Sequence, residues 1–219
     1  MRSNRLNCPV RTSPSRKGQL MAQKSIRKRG KSPPGRLRIV AGKWRSRLLP
    51  VADVGSLRPT PARVRETVFN WLAPVLPGAR CLDLFAGSGA MAFEALSRGA
   101  ASVDLVERDP RAVTVLEEAR RTLGAADASI HRADAYQYLG SPAPRPFDVV
   151  FLDPPYADDS ISELCRLLAD GDWVRAGGLV YFEQDRDQTP AVLPDGWSLG
   201  KEKGAGQVRF CLAINGDMI

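Results

Sequence analysis

From Arg80 onward the chain switches regularly between short apolar, β-prone runs and stretches with helical spacing, and this alternation limits the available folds more than any other feature. Arg80–Phe85 reads as a strand, Ala90–Arg98 as a helix stopped by Gly99, and Ser102–Glu107 as a second strand. Pro110–Leu123 is a helix stopped by Gly124, followed by a short strand at Ser129–Arg132 and a short helix at Ala135–Leu139. Phe147–Leu152 is a strand, Ser160–Ala169 a helix and Gly178–Glu183 a strand. The tail holds two β-like runs, Trp197–Glu202 and Gln207–Ile214, joined by Lys203-Gly204-Ala205-Gly206. Strands that alternate with helices predict an α/β domain with a mostly parallel sheet covered on both faces, and the terminal hairpin adds antiparallel strands at one edge.

Upstream, "LRIVAGKWRSRLLP" predicts a hairpin: Leu37–Val40, a turn at Ala41-Gly42-Lys43, then Arg45–Leu49. "RPTPARVRETVFNWLAPVL" predicts a helix with Thr60 as N-cap and Pro61 at its first position. Val64, Val68, Trp71, Leu72 and Val75 form its apolar stripe, while Arg63 and Arg65 fall on the polar side as a solvated face. Residues 1–36 are Pro, Ser, Gly, Lys and Arg with little apolar periodicity, so they are expected to form a disordered arm ahead of a hairpin extension at 37–57 and a main domain at 58–219. Met21 is a second plausible start.

Charge separates this arm from the rest. Residues 1–52 hold 15 of the 32 Lys and Arg and no Asp or Glu, which leaves 17 basic against all 24 acidic residues beyond them. The formal charge of +8 therefore belongs to the arm and the hairpin, and a basic arm suits a polyanion such as RNA or DNA. The Arg- and Ser-rich start also has the composition of an organellar transit peptide. Four scattered cysteines and one histidine argue against a zinc site and a disulfide framework, and fit a reducing cytoplasm. No apolar run reaches the length of a membrane span.

"CLDLFAGSGAMAFEAL" places Asp83 at a strand end and Gly87-Ser88-Gly89 at the opening of a helix. The glycines permit a tight turn and close approach of backbone to a ligand. Glu107, at the end of the next strand with Arg108 beside it, lies at the distance expected of an acid that accepts from ribose hydroxyls. This pattern indicates an adenosine-containing cofactor without saying which. Asp83 would repel a pyrophosphate and attract a cation, which favours S-adenosylmethionine over a dinucleotide. Asp134, followed by Ala135, can accept from an adenine amino group, cap the next helix, or do both.

"FLDPPY" ends the Phe147–Leu152 strand on a carboxylate, two prolines and an aromatic ring. Proline cannot extend a ladder, so the segment is shaped to hold something at the sheet's carboxyl edge. An exocyclic amine on a nucleobase is a poor nucleophile until acceptors take its N–H hydrogens and aim its lone pair. Asp153 and the Pro154 carbonyl supply two acceptors, and Tyr156 offers a face on which a flipped-out base stacks for roughly 1–3 kcal/mol.

"DLFAGSGAMAFEALSRGA", "DPPY" and "LRPTPARVRETVFNWLAP" together resemble the bacterial 16S rRNA (guanine-966-N2)-methyltransferase family, from about Leu37 to the terminal hairpin. The resemblance implies a seven-stranded, Rossmann-like S-adenosylmethionine-dependent methyltransferase fold. It implies a cofactor site at Asp83, Gly87, Ser88, Gly89, Glu107, Arg108, Asp134 and Ala135, closed over the methionine end by the segment that carries Thr60 and Arg63. The catalytic clamp would be Asp153, Pro154 and Tyr156, and the natural substrate 16S rRNA in the small ribosomal subunit or an assembly intermediate. A cytoplasmic monomer without metal is expected.

For RNA contact the candidates are Arg36, Arg38, Lys43, Trp44, Arg45 and Arg47. Trp44 either stacks on a base or pins the hairpin to the core. His131 reads as structural. The rival functions are a DNA adenine-N6 methyltransferase, a nicotinamide-dependent oxidoreductase, which leaves the DPPY segment unexplained, and an RNA-binding protein without catalysis.

Overall fold

The computed structural model describes residues 35–52, 60–143, 145–154 and 160–216, all within a compact unit that spans Pro34–Ile219. The expected basic arm up to residue 34 and Tyr156 lie outside the described residues. A small antiparallel pair, β1 (Arg36–Arg38) and β2 (Leu48–Pro50), precedes α1 (Ala62–Leu72). Then follow β3 (Arg80–Asp83), α2 (Ala90–Ser97), β4 (Ser102–Glu107), α3 (Pro110–Leu123), β5 (Ala128–Arg132), α4 (Ala135–Leu139) and β6 (Phe147–Leu152). The chain closes with α5 (Ser160–Asp170), β7 (Val174–Asp185), β8 (Trp197–Ala205) and β9 (Val208–Asn215).

The main sheet has seven strands in the order β5-β4-β3-β6-β7-β9-β8. Its first five are parallel, and β9 and β8 add antiparallel to β7 and to each other. One apolar cluster contains residues of α1, α2, α3 and the β1–β2 hairpin, and a second contains residues of α4 and α5. The expected α/β fold with its antiparallel edge is therefore present. Strand order reverses between β3 and β6, and in open α/β sheets the crevice at the carboxyl ends of such a pair is where ligands bind.

Local sequence explains the helix ends. Asp109 accepts the Arg111 N–H, Pro110 fills the first position of α3, and Gly124 closes it at φ 62°. Gly89 caps α2 at φ 74°, and a Cβ there would lie 2.5 Å from the Phe93 ring and 2.8 Å from Leu116, so this position suits glycine alone.

Several expectations are corrected. The N-terminal hairpin is shorter than its sequence suggests: residues 41–46 form turns, with Ser46 at φ 67°, and only Leu48–Pro50 returns as a strand. The α1 N-cap is Pro61 rather than Thr60. Strand β7 starts four residues before the expected Gly178, at Val174. Strand β8 runs on past the expected Glu202 to Ala205, and β9 begins one residue after the expected Gln207 and ends at Asn215, with Gly206 at φ 62° in the tight turn between them. Cys81, Cys165 and Cys211 are free and buried, and desolvation pushes the Cys165 and Cys211 thiols up to about 12. These thiols stay protonated and inert at neutral pH. No helix among the described residues is long and apolar enough to cross a membrane.

Candidate active site

The crevice at the β3/β6 switch point is lined by Thr60, Asp83, Phe85, Ala86, Gly87, Ser88, Ala90, Met91, Phe151, Asp153 and Tyr181, around a space of about 370 Å³ that opens to solvent. Five residues named from the sequence meet here: Thr60, Asp83, Gly87, Ser88 and Asp153.

Sheet register explains the meeting. Asp83 lies opposite Phe151 across β3 and β6, and Phe151 lies opposite Tyr181 across β6 and β7. Paired residues share a face and alternate residues return to it, so Asp153 and Glu183 project from the same side as Asp83. Helix α1 covers that side: Phe69 packs on Phe151 with ring centroids 5.9 Å apart, and Trp71 stacks on Phe210 at 5.4 Å.

Each acid is held differently. Asp83 is buried and accepts the backbone N–H groups of Ala92 and Phe85, yet desolvation dominates and raises its pKa to about 7, with Glu107 adding to the rise. Asp153 is pushed well above the ordinary carboxylate range, first by desolvation and then by the charges of Glu183 and Asp83; a hydrogen bond from the Thr60 hydroxyl works against this. Glu183 is buried at the end of β7 and accepts the Tyr181 hydroxyl at 2.6 Å. Carboxylates this close, in this little water, form a trap for positive charge.

The glycine turn is anchored to the neighbouring strand. Gly87 stands at φ 51° and its N–H donates to Glu107 Oε2 at 2.9 Å, while Glu107 Oε1 accepts the Asp109 N–H at 2.8 Å. Glu107 thus fixes the turn in addition to any ribose contact. Arg108 is exposed beside it. At the end of β5, Asp134 Oδ1 accepts from the Tyr136 and Gln137 N–H groups at 3.0 and 3.4 Å, so the capping role holds for it. Ala135 is buried in the first turn of α4, and neither residue lines the crevice. Pro154 is buried next to Asp153.

Arg65 departs from its reading, Arg63 keeps its solvated face, and Trp44 takes one of its two roles. Arg65 is no solvated face: it is buried, its Nη1 lies 3.5 Å from Glu94, and its Nη2 donates to the Arg38 carbonyl at 2.8 Å. Arg63, two residues earlier, is exposed and makes no part of the crevice lining. Trp44 is buried in the core with Lys43 Nζ 5.2 Å from its ring centroid, so it pins the hairpin and has no free face for a base. Arg36, Arg38, Lys43, Arg45 and Arg47 remain exposed. His131 lies 3.5 Å from Asp104 and packs near Tyr138, away from the crevice. Among the described residues no group of His, Cys, Asp and Glu is arranged to hold a metal ion.

Residues that sequence reasoning missed are Tyr181 in the crevice lining, Glu183 that accepts its hydroxyl, and Glu94 on α2. A signal existed for each pair of elements: "GGLVYFEQD" puts a Tyr and a Glu on one face of an apolar strand, and "AMAFEALS" puts a lone Glu in a helix apolar on every side.

Comparison with known proteins gives a consistent result. The model of the family described as Conserved hypothetical protein 95 matches residues 37–214. The Escherichia coli K12 protein called Ribosomal RNA small subunit methyltransferase D is 43% identical over 187 residues, which cover 85% of this chain and 94% of that one. The Haemophilus influenzae protein of the same name is 41% identical over 184 residues, covering 83% and 95%. The solved Escherichia coli structure named yhhF superposes with a TM-score of 0.78 at 41% identity, covering 84% of this chain and 100% of that one.

Proposed function

Because this chain belongs to the Conserved hypothetical protein 95 family, we propose that it transfers a methyl group from S-adenosylmethionine to the exocyclic N2 of a guanine in small-subunit ribosomal RNA, guanine 966 of 16S rRNA being the expected base. The observation that carries the reading is the position of Asp153: an acceptor carboxylate at the carboxyl end of β6, within the acidic trap for positive charge formed with Asp83 at the switch point of the sheet. The rRNA methyltransferase names of the 41–43% identical relatives support the substrate class.

The residues present fit the cofactor. Asp83 and the Gly87-Ser88-Gly89 turn, held by Glu107, would receive it, and the buried carboxylates suit its ammonium and sulfonium charges where they would repel a pyrophosphate. When bound, it supplies an electrophilic methyl group. The work of the chain is then orientation. Asp153 and the Pro154 carbonyl accept the two N–H hydrogens of the base's amine, which turns the nitrogen lone pair toward the methyl. Thr60 holds the Asp153 carboxylate in place from the start of α1. Phe151, Phe85 and Met91 line the crevice and exclude water. Exposed Arg36, Arg38, Lys43, Arg45 and Arg47 meet phosphates and steer encounter without reading bases. A cytoplasmic, monomeric enzyme belongs to the same reading.

The test is incubation with labelled S-adenosylmethionine and small ribosomal subunits that lack the modification, beside naked rRNA and duplex DNA, followed by nucleoside mass spectrometry. N2-methylguanosine in the particle, abolished by Asp153→Ala, is the expected result. N6-methyladenine in the DNA would overturn the substrate, and no methyl transfer to any of the three would overturn the reaction.

A further inference from the structure

Resting on the methyl-transfer reading above, we propose that Glu183 is a positioning residue that acts through Asp153: held by the Tyr181 hydroxyl, its carboxylate makes Asp153 the acceptor of the proton that the base's amine gives up. The geometry comes from three facts. Leu152 and Phe182 are the last register partners between the parallel strands β6 and β7, so the next residue on each, Asp153 and Glu183, continues the row. Glu183 is buried, and Tyr181, which lines the crevice, reaches it at 2.6 Å. A buried carboxylate beside a clamp residue needs a reason to stay there, since an apolar side chain would cost less to bury directly after the apolar run Leu179–Phe182.

The chemistry supplies one. The amine nitrogen's lone pair forms the bond to the methyl carbon, and the carbon–sulfur bond breaks with its electron pair on sulfur, which becomes neutral. The nitrogen now carries the positive charge and sheds one N–H proton, whose bonding pair returns to nitrogen. Asp153 is already hydrogen-bonded to that N–H in the clamp and becomes a carboxylic acid; the proton leaves to water as the product departs. An ordinary carboxylate is a weak base for this step. Among the described residues, the groups facing Asp153 are Asp83 from β3, Glu183 from β7 and the Thr60 hydroxyl ahead of α1, with Glu107 of β4 acting on Asp83 in turn. The two facing anions strengthen Asp153 as a base and the Thr60 donor weakens it. Glu183 leads Asp83 among these charges.

Two measurements test the inference. In the wild-type protein without ligand, 13C NMR of labelled aspartate and glutamate carboxyls, with the Asp153 signal assigned by its loss in Asp153→Asn, should show Asp153 titrating above the usual range in two coupled steps. In the enzyme, the acid limb of the methyl-transfer pH profile should move to lower pH in Glu183→Gln, and the plateau rate should fall by roughly 10- to 100-fold, part of what general-base catalysis supplies. Glu183→Asp, which keeps the anion, should hold the limb near its wild-type position. A single Asp153 titration near the ordinary carboxylate value would overturn the proposal even if Glu183→Gln does not fold. So would a folded Glu183→Gln enzyme with an unmoved acid limb. If the wild-type enzyme transfers no methyl group, the methyl-transfer reading itself fails, and that outcome is distinct from both.

Discussion

The Arg65 guanidinium lies 3.5 Å from the Glu94 carboxylate, with both side chains almost fully withdrawn from solvent. Around this pair three segments meet. Glu94 also accepts the Val40 and Ala41 N–H groups at 2.8 and 3.0 Å and the Arg98 Nε at 2.8 Å, and Arg65 donates to the Arg38 carbonyl at 2.8 Å. The pair therefore fastens the basic hairpin to α1, whose leading Thr60 touches Asp153, and to α2, whose N-terminus is the glycine turn. The basic hairpin and the crevice share one electrostatic anchor.

Glu94→Ala leaves a buried guanidinium and two backbone donors without their acceptor. Breaking a buried pair from one side costs about 3–5 kcal/mol, and at this chain length that lowers Tm by roughly 6–20 °C. Differential scanning calorimetry of Glu94→Ala, Arg65→Met and the double variant measures the coupling. The double variant should be more stable than the sum of the single losses predicts, since it no longer buries an unpaired charge. Full additivity would show that the pair does not act as a unit.

Gly42 marks where the hairpin touches α2. Its φ is 81°, and a Cβ there would stand 1.8 Å from the Ser97 carbonyl oxygen, which accepts the Lys43 N–H at 2.7 Å. Gly42→Ala cannot keep both the backbone conformation and the contact. Amide hydrogen exchange should accelerate at least about tenfold at Lys43 and Trp44, whose N–H groups bond Ser97, while the β3, β4 and β6 amides stay protected. Unchanged exchange at Lys43 would mean that the loop seats without this contact.

What was legible in the sequence follows from where the signals were local. Helix α3 was read to the residue because Pro110 and Gly124 each act within a turn of its ends. Asp83, Gly87 and Asp153 were legible because a strand end followed by a turn reveals what it presents. Arg65 was misread because its charge outweighed its spacing: it stands three and four residues before Val68 and Phe69 on the buried face of α1, and only the long-range arrival of Glu94 and the Arg38 carbonyl makes that position tolerable for a guanidinium. Glu183 was passed over for the same reason: its neighbour Asp153 is 30 residues away and becomes its neighbour through strand register alone. Trp44 stood between two roles until its packing decided for the core.

Asp83 predicts a pH-dependent stability with a definite sign. Its folded pKa of about 7 lies above the ordinary aspartate value of 3.8, so between those values the folded protein binds more protons at this site than the unfolded chain does. Its contribution is full below the unfolded value and is lost as pH rises toward 7, so the free protein should lose stability across that window. Asp83→Asn should flatten the slope of chemical-denaturation midpoints between pH 4 and 7 relative to wild type. An equal slope in both proteins would remove Asp83 as the cause. The same ionisation makes the crevice more negative, so calorimetric affinity for S-adenosylmethionine should rise through neutral pH in the wild type and less so in Asp83→Asn.

Thr60 supplies a prediction of opposite sign to that for Glu183. Its hydroxyl donates to Asp153 and favours the ionised carboxylate, against burial and the nearby acids. Thr60→Val keeps the shape and removes the donor. A hydrogen bond to a charged group is worth about 1.5–3 kcal/mol, so the acid limb of the methyl-transfer profile should move up by roughly one to two pH units. Activity at neutral pH should then fall while activity at high pH recovers. Thr60→Ser, which retains the hydroxyl, should keep the wild-type limb. A Thr60→Val enzyme that is equally weakened at every pH would show that Thr60 only packs the start of α1, and the profile of kcat against pH separates the two cases.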